Sequence, residues 1–291
     1  MPEGQIVRAL SGFFYVRTPH RDIRCRARGV FKKKKWSPLV GDWVTYEETD
    51  ATEGWVTHLH PRKTELVRPP IANVDQAVVI GSFLEPKVQS ELLDRFLVHA
   101  ERAGLETVIC LTKSDLLPDS SEEKALREIY EAADYPVLIT SVHTGEGIEE
   151  LKRALKNRLS VFAGQSGVGK SSLLNAILPS ARLQTGEVSR KLGRGRHTTR
   201  HVEILDLPGG GQVADTPGFS QLSFGKMEAT ELGRCFPELA ERASDCKFRG
   251  CLHKNEPGCA VREALTTGEI SGTRYRHYLQ FLEEINEQRR Y

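Results

Sequence analysis

The sequence of 291 residues carries 41 Lys+Arg against 39 Asp+Glu, six Cys, 39% apolar and 27% charged residues. That length suits two or three domains, and the composition excludes a disordered or fibrous chain. No apolar run approaches the ~20 residues of a bilayer span, and Met1-Pro2-Glu3 opens no signal pattern. The expectation is a cytoplasmic protein with reduced thiols, in which clustered Cys read as metal ligands.

The net charge of +2 is unevenly spread: residues 1–70 hold 13 basic and 8 acidic side chains, and Arg17 to Lys35 has nine basic residues against the single Asp22. Five short apolar-rich stretches lie at Gln5–Leu10, Phe13–Arg17, Ile23–Arg28, Asp42–Glu47 and Gly54–Leu59. Their spacing predicts a small β-barrel, either an OB-fold or an SH3-like barrel. In the third stretch Ile23, Cys25 and Ala27 alternate with Arg24, Arg26 and Arg28, so the arginines share one face. Lys32, Lys33, Lys34 and Lys35 follow, ending at Trp36. Cations beside an aromatic suit an RNA backbone with bases to stack on; a charged, solvated edge that blocks aggregation would look alike.

Further on, Leu159–Ala163 reads as a strand and Ser171–Leu178 as a helix. Between them Gly164, Gln165, Ser166, Gly167, Val168, Gly169, Lys170 and Ser171 match G-x-x-x-x-G-K-[ST]. In that context the glycines turn backbone N–H groups toward phosphates, Lys170 adds a point charge and Ser171 can ligate Mg²⁺, with Ser172 beside it. Downstream, Gln212–Ala214 leads into Asp215-Thr216-Pro217-Gly218, where Asp215 can hold Mg²⁺ and the Gly218 amide can approach the γ-phosphate. Thr112-Lys113-Ser114-Asp115 resembles the [NT]-K-x-D base reader at the end of the strand Glu106–Leu111. The Asp115 carboxylate can accept from guanine N1–H and the 2-amino group, donors that adenine lacks. Lys113 would lay its stem along the base, and Ser141, after the strand Val137–Thr140, marks where a backbone amide would meet the guanine oxygen.

The order is unusual, because the base reader and Ser141 precede the P-loop. A circular permutation of a GTPase explains it, since domain termini often lie close together. Residues 185–200 should form switch I, with Thr199 preferred over Thr198 as a Mg²⁺ ligand. Beyond the switch, Cys246, Cys251, His253 and Cys259 place three thiols and an imidazole within one short polar segment. They suit a structural Cys₃His zinc site, with buried cysteines as the plainer alternative. Lys247, Arg249 and Lys254 give a second basic surface. Cys25, Cys110 and Cys235 read as packing residues. Tyr275, Tyr278, Leu279, Leu282 and Ile285 recur at helical spacing.

A basic OB-like barrel in 1–70, a permuted α/β P-loop GTPase in 71–225 and a mainly helical zinc domain in 226–291 together resemble the bacterial family of ribosome small-subunit-dependent GTPase A. The resemblance spans the whole chain. It implies a GTPase that binds the small ribosomal subunit late in assembly, contacts its rRNA, and helps release a maturation factor such as ribosome-binding factor A. A monomer whose hydrolysis is stimulated by docking on the subunit is the accompanying expectation. Family members carry a hydrophobic residue, here Phe219, where other GTPases have the water-orienting Gln. The resemblance gives that work to His197, with Lys170 and Thr199 completing the catalytic set. Thr112 stands where Asn is commoner, and its shorter side chain is expected to tie down less of the P-loop. Without the Gln, unassisted hydrolysis should be slow, on the order of 10⁻⁴–10⁻² s⁻¹. A rival reading is an RNA-docking module holding GTP as a structural ligand. A small-metabolite kinase fits the P-loop alone.

Overall fold

Alternating burial builds the N-terminal region strand by strand. β1 (Glu3–Leu10), β2 (Phe13–Arg17), β3 (Asp22–Ala27), β4 (Trp43–Glu48) and β5 (Glu53–Leu59) match the predicted strands closely. The computed structural model describes residues 1–28, 37–50, 52–67, 69–178, 202–215 and 222–288. Within β3, Ile23 and Cys25 are buried while Arg24 and Arg26 face outward, as period-two alternation requires.

The chain divides into two compact units, the first comprising Met1–Ala77, Glu149–Phe162 and Lys170–Ser220. Here β1 pairs antiparallel with β2, β2 with β3, and β4 with both β5 and β1, while β3 and β5 run parallel. The ring therefore closes in the order 1-2-3-5-4-1. The parallel β3–β5 pair and the β1–β4 closure select the OB arrangement over the SH3-like alternative. Its interior is filled by Ile6, Val16, Ile23, Cys25, Val44 and Val56. The short pair β6 (Glu65–Val67) and β7 (Pro70–Ala72) follows the barrel. The later part of this unit holds α3 (Ile148–Leu155), β11 (Leu159–Ala163), α4 (Lys170–Ile177), β12 (Glu203–Asp206) and β13 (Gln212–Asp215). β11 and β13 are parallel, β12 pairs antiparallel with β13, and β12 meets β1 at Arg8 and Glu203.

The second unit comprises Val78–Ile148, Ala163–Gly169 and Gln221–Tyr291. β8 (Gln76–Ser82), β9 (Glu106–Thr112) and β10 (Val137–Thr140) lie in the order β10-β9-β8, with β9 and β10 parallel. β8 is buried throughout and β9 at all but its first residue, the near-continuous apolar run expected of strands covered on both faces. α1 (Ser90–Arg102) and α2 (Ser121–Glu131) connect them. After residue 222 come the single turns α5 (Ala229–Leu232) and α6 (Pro237–Ala240), then α7 (Ala260–Thr267) and α8 (Gly272–Gln288). Phe224, Leu232, Phe236, Leu239, Tyr278 and Phe281 form one apolar cluster.

That cluster encloses a charged centre. The Arg274 guanidinium donates to Asp94 at 2.5 Å and to both oxygens of Glu238 at 2.5 and 3.0 Å. His277 Nδ1 lies 2.6 Å from the other Asp94 oxygen. Tyr130, Tyr135 and Phe236 place their rings 5.0–5.6 Å from the guanidinium carbon. Arg274 is 1% and Asp94 0% exposed, so α1, α6 and α8 are joined by charges that water does not reach. Nearby, Arg95 of α1 donates to the Leu222 carbonyl at 3.3 Å and to Glu284 at 2.7 Å, and Arg102 to the Phe224 carbonyl at 3.2 Å. The chain that follows Asp215–Gly218 is thus held on α1 from its first described residue.

Candidate nucleotide site and metal centre

β11, a glycine-rich loop and α4 succeed one another as the P-loop motif requires. Gly164 has φ 151°, and a Cβ there would lie 2.3 Å from the Ile80 carbonyl oxygen, so backbone proximity excludes any side chain. Gly167 and Gly169 also have positive φ. Gln165, Ser166 and Gly167 form the exposed tip, whereas Val168 is buried. Lys170 is the first residue of α4, followed by Ser171 and Ser172 on its first turn. Burial pushes the Lys170 ammonium below the usual lysine range, a cost that an adjacent phosphate would offset.

The candidate base reader, Thr112 to Asp115, emerges from β9. Thr112 is buried, and its hydroxyl lies 2.6 Å from the Val168 carbonyl in the P-loop and 3.2 Å from that of Gly81. One hydroxyl proton serves one acceptor at a time, and the shorter contact is to the P-loop. Thr112 thus ties to the loop through one hydroxyl bond. Lys113 adopts a left-handed conformation, φ 62°, and its ammonium donates to the Leu84 and Glu85 carbonyls at 3.0 and 2.5 Å. Those bonds tie its side chain to the β8–α1 connection. Ser114, Asp115 and Leu116 form a 3₁₀ turn. The Ser141 hydroxyl donates to Asp115 Oδ1 at 2.5 Å, leaving Oδ2 as the other acceptor.

The Ser141 amide donates to the Glu146 carbonyl at 3.0 Å, so it is not the amide available to a guanine oxygen. Along the basic stripe of β3, two of the three arginines are paired with acidic side chains. Arg24 is ion-paired with Glu53 and Arg28 with Glu47. Arg26 has no acidic partner among the described residues; its guanidinium stacks 4.8 Å from the Phe13 ring and stands in register with Trp55, which is 36% exposed. The cross-strand glutamates were invisible because strand register is not written in the sequence. Lys32, Lys33, Lys34, Lys35, Thr199, His197 and Gly218 lie outside the described residues. Asp215 ends β13, opposite Glu203.

The four candidate metal-ligating side chains meet. Sγ of Cys246, Cys251 and Cys259 and Nδ1 of His253 all lie within 4.8 Å of one another. Cys246 Sγ is 3.9 Å from Cys259 Sγ and 3.6 Å from His253 Nδ1, which is 3.4 Å from Cys259 Sγ. A tetrahedral zinc would require edges of about 3.8 Å between sulfurs and about 3.6 Å from sulfur to nitrogen. The cluster therefore has the dimensions to hold such an ion. Tyr275 and Tyr278 donate to the His253 and Leu252 carbonyls at 2.6 and 2.7 Å, and Glu256 accepts the amides of Leu252, Lys254 and Asn255. These bonds hold the ligand loop, in which His253 has φ 56°. Cys25, Cys110 and Cys235 are buried apart from the cluster, as expected of packing residues.

A P-loop and a guanine-type reader in permuted order, behind a closed five-stranded barrel, define a circularly permuted GTPase. The family description "RsgA N-terminal domain" matches residues 3–56 and "RsgA GTPase" residues 59–225. The chain belongs to the RsgA GTPase family. It is 54% identical to the small ribosomal subunit biogenesis GTPase RsgA of Shouchella clausii over all of this chain and 99% of the relative, and 52% identical to that of Geobacillus kaustophilus over 99% of each. Two solved structures share the fold. YloQ, described as a circularly permuted GTPase, has 44% identity and a TM-score of 0.84, covering 99% of this chain and 96% of YloQ. YjeQ from Thermotoga maritima has 38% identity and a TM-score of 0.86, with 97% and 98% covered. Membership of a GTPase family brings Mg²⁺ with the nucleotide.

Proposed function

We propose that this GTPase binds the small ribosomal subunit and its rRNA in the cytoplasm, as a monomer, and serves its late maturation. The observation that carries the nucleotide half is the Thr112–Val168 bond, which ties the base-reading loop to the phosphate-binding loop. In this reading Asp115 grips guanine, Lys113 flanks it, and Val142, the residue after the engaged Ser141 amide, offers its own N–H to the guanine oxygen. Gly164 to Ser172 cradle the phosphates. Ser171, Thr199 and Asp215 hold Mg²⁺, the Gly218 amide meets the γ-phosphate, and His197 orients water. The functional divisions fall near residues 70 and 225. Docking on the subunit speeds hydrolysis, and GTP turnover is coupled to release of an assembly factor, for which ribosome-binding factor A is the candidate. Phosphate release over multiple turnovers, with and without small subunits, tests this. Stimulation by the subunit is expected; equal slow rates would favour the docking module that uses GTP as a structural ligand.

The barrel face contributes through Arg26, stacked on Phe13 and in strand register with the exposed Trp55, more than through its paired neighbours. Arg26→Ala is expected to weaken RNA binding by about 1–3 kcal/mol, the range of one lost stacking contact, and to flatten the salt dependence by roughly one counterion. Arg24→Ala should do less, because its guanidinium is already engaged by the Glu53 carboxylate. Equal effects in a salt titration would count against this division of labour.

The Cys246, Cys251, His253 and Cys259 cluster takes one structural zinc per chain. A strong chelator should lower amide protection in α7 and α8 while leaving the barrel strands protected, as read by hydrogen exchange.

A further inference from the structure

The loop that follows β10 is closed on itself before it touches the base reader. Ser141 N donates to the Glu146 carbonyl at 3.0 Å and Gly145 N to the Ser141 carbonyl at 2.9 Å. Thr144 N donates to Ser141 Oγ at 3.1 Å and Glu146 N to Thr144 Oγ1 at 3.3 Å. Gly147, with φ 67°, lies where a Cβ would fall 1.9 Å from the Ile139 carbonyl oxygen. The turn is thus a rigid block seated on the end of β10.

The 3₁₀ turn that carries Asp115 is a weaker object. It is three residues long, it follows a left-handed lysine, and Asp115 itself is exposed. The Ser141 bond fixes one carboxylate oxygen but leaves the turn able to pivot about that point. A second bond removes this freedom: Ser114 Oγ donates to Glu146 Oε2 at 2.5 Å. The two loops therefore exchange contacts reciprocally, each giving a serine hydroxyl to the other's carboxylate.

We propose that Ser114 and Glu146 are positioning residues for guanine selection, a second latch that aims the Asp115 carboxylate at both guanine donors. The proposal rests on the reading of Asp115 as the guanine acceptor. Selection by two parallel bonds from one carboxylate is sensitive to rotation, because a tilted carboxylate keeps one bond and loses the other. Hypoxanthine supplies the comparison. It has the N1–H but lacks the 2-amino group, so IDP can make only one of the two bonds.

The test is competition of GDP and IDP against a fluorescent guanine nucleotide on the full chain. The unaltered protein should prefer GDP by about tenfold or more, the worth of one hydrogen bond to a charged group. Glu146→Ala and Ser114→Ala should each weaken GDP by about five- to tenfold while changing IDP by less than about twofold, so that the preference collapses. Glu146→Gln, whose carbonyl still accepts, should restore the preference, and the double alanine variant should be no worse than either single. Parallel weakening of GDP and IDP, or an unchanged ratio, would overturn the latch while leaving Asp115 in its role. A ratio near one in the unaltered protein would overturn the reading of Asp115, and the latch with it.

Discussion

Replacing Arg274 by methionine is expected to lower the unfolding free energy by about 3–5 kcal/mol, the range for removing one member of a buried ion cluster. Methionine keeps much of the volume, so the loss is electrostatic more than steric. Arg274 is the cation between Asp94 and Glu238, and both carboxylates are buried. Without it they must become protonated or stay charged in a medium that solvates them poorly. His277 touches Asp94 but not Glu238, so it can replace at most part of the lost charge. Urea denaturation at neutral pH reads the effect directly. The informative control converts Arg274, Asp94 and Glu238 together to apolar residues of similar volume. If the network's worth lies in pairing, that triple variant should recover most of the lost stability. A single variant as stable as the parent would show that water reaches the cluster.

Asp115→Asn is expected to weaken GDP by on the order of 10²–10³-fold, because an amide presents one donor against two guanine donors. The same change should improve xanthine nucleotides, whose 2-oxo group accepts where guanine's amino group donates. Opposite shifts for the two bases, measured by nucleotide competition, are a signature that unfolding cannot mimic. The Ser141 hydroxyl lies 2.5 Å from Asp115, and an asparagine carbonyl can accept it equally well. The turn should therefore survive and only the pairing code change. Unaltered GDP affinity would remove Asp115 from the site.

Much of this architecture was legible in local pattern. The alternation of Ile23 and Cys25 with Arg24 and Arg26 placed β3 and its two faces, and the P-loop residues fixed a strand, a loop and a helix by the phosphate chemistry they serve. The Cys and His residues could be grouped because a metal site here draws on one short segment. The illegible features join residues far apart in sequence. Arg24 and Arg28 look like free cations until β4 and β5 bring Glu47 and Glu53 beside them. Ser114 and Glu146 are ordinary polar residues in separate turns, and only the β9–β10 pairing makes them neighbours. The Thr112–Val168 bond likewise joins residues 56 apart in sequence, and no local pattern announces it.

Asp94 and Arg274 are 180 residues apart, which bears on how the molecule is made. During synthesis α1 leaves the ribosome long before its cation exists, so the first helix of the base-reading region carries a carboxylate awaiting a late partner. Chains that stop before Gly272 lack that partner altogether and should be easy prey for proteases. A truncated chain should therefore differ from a complete one in protease sensitivity, with the difference centred on α1.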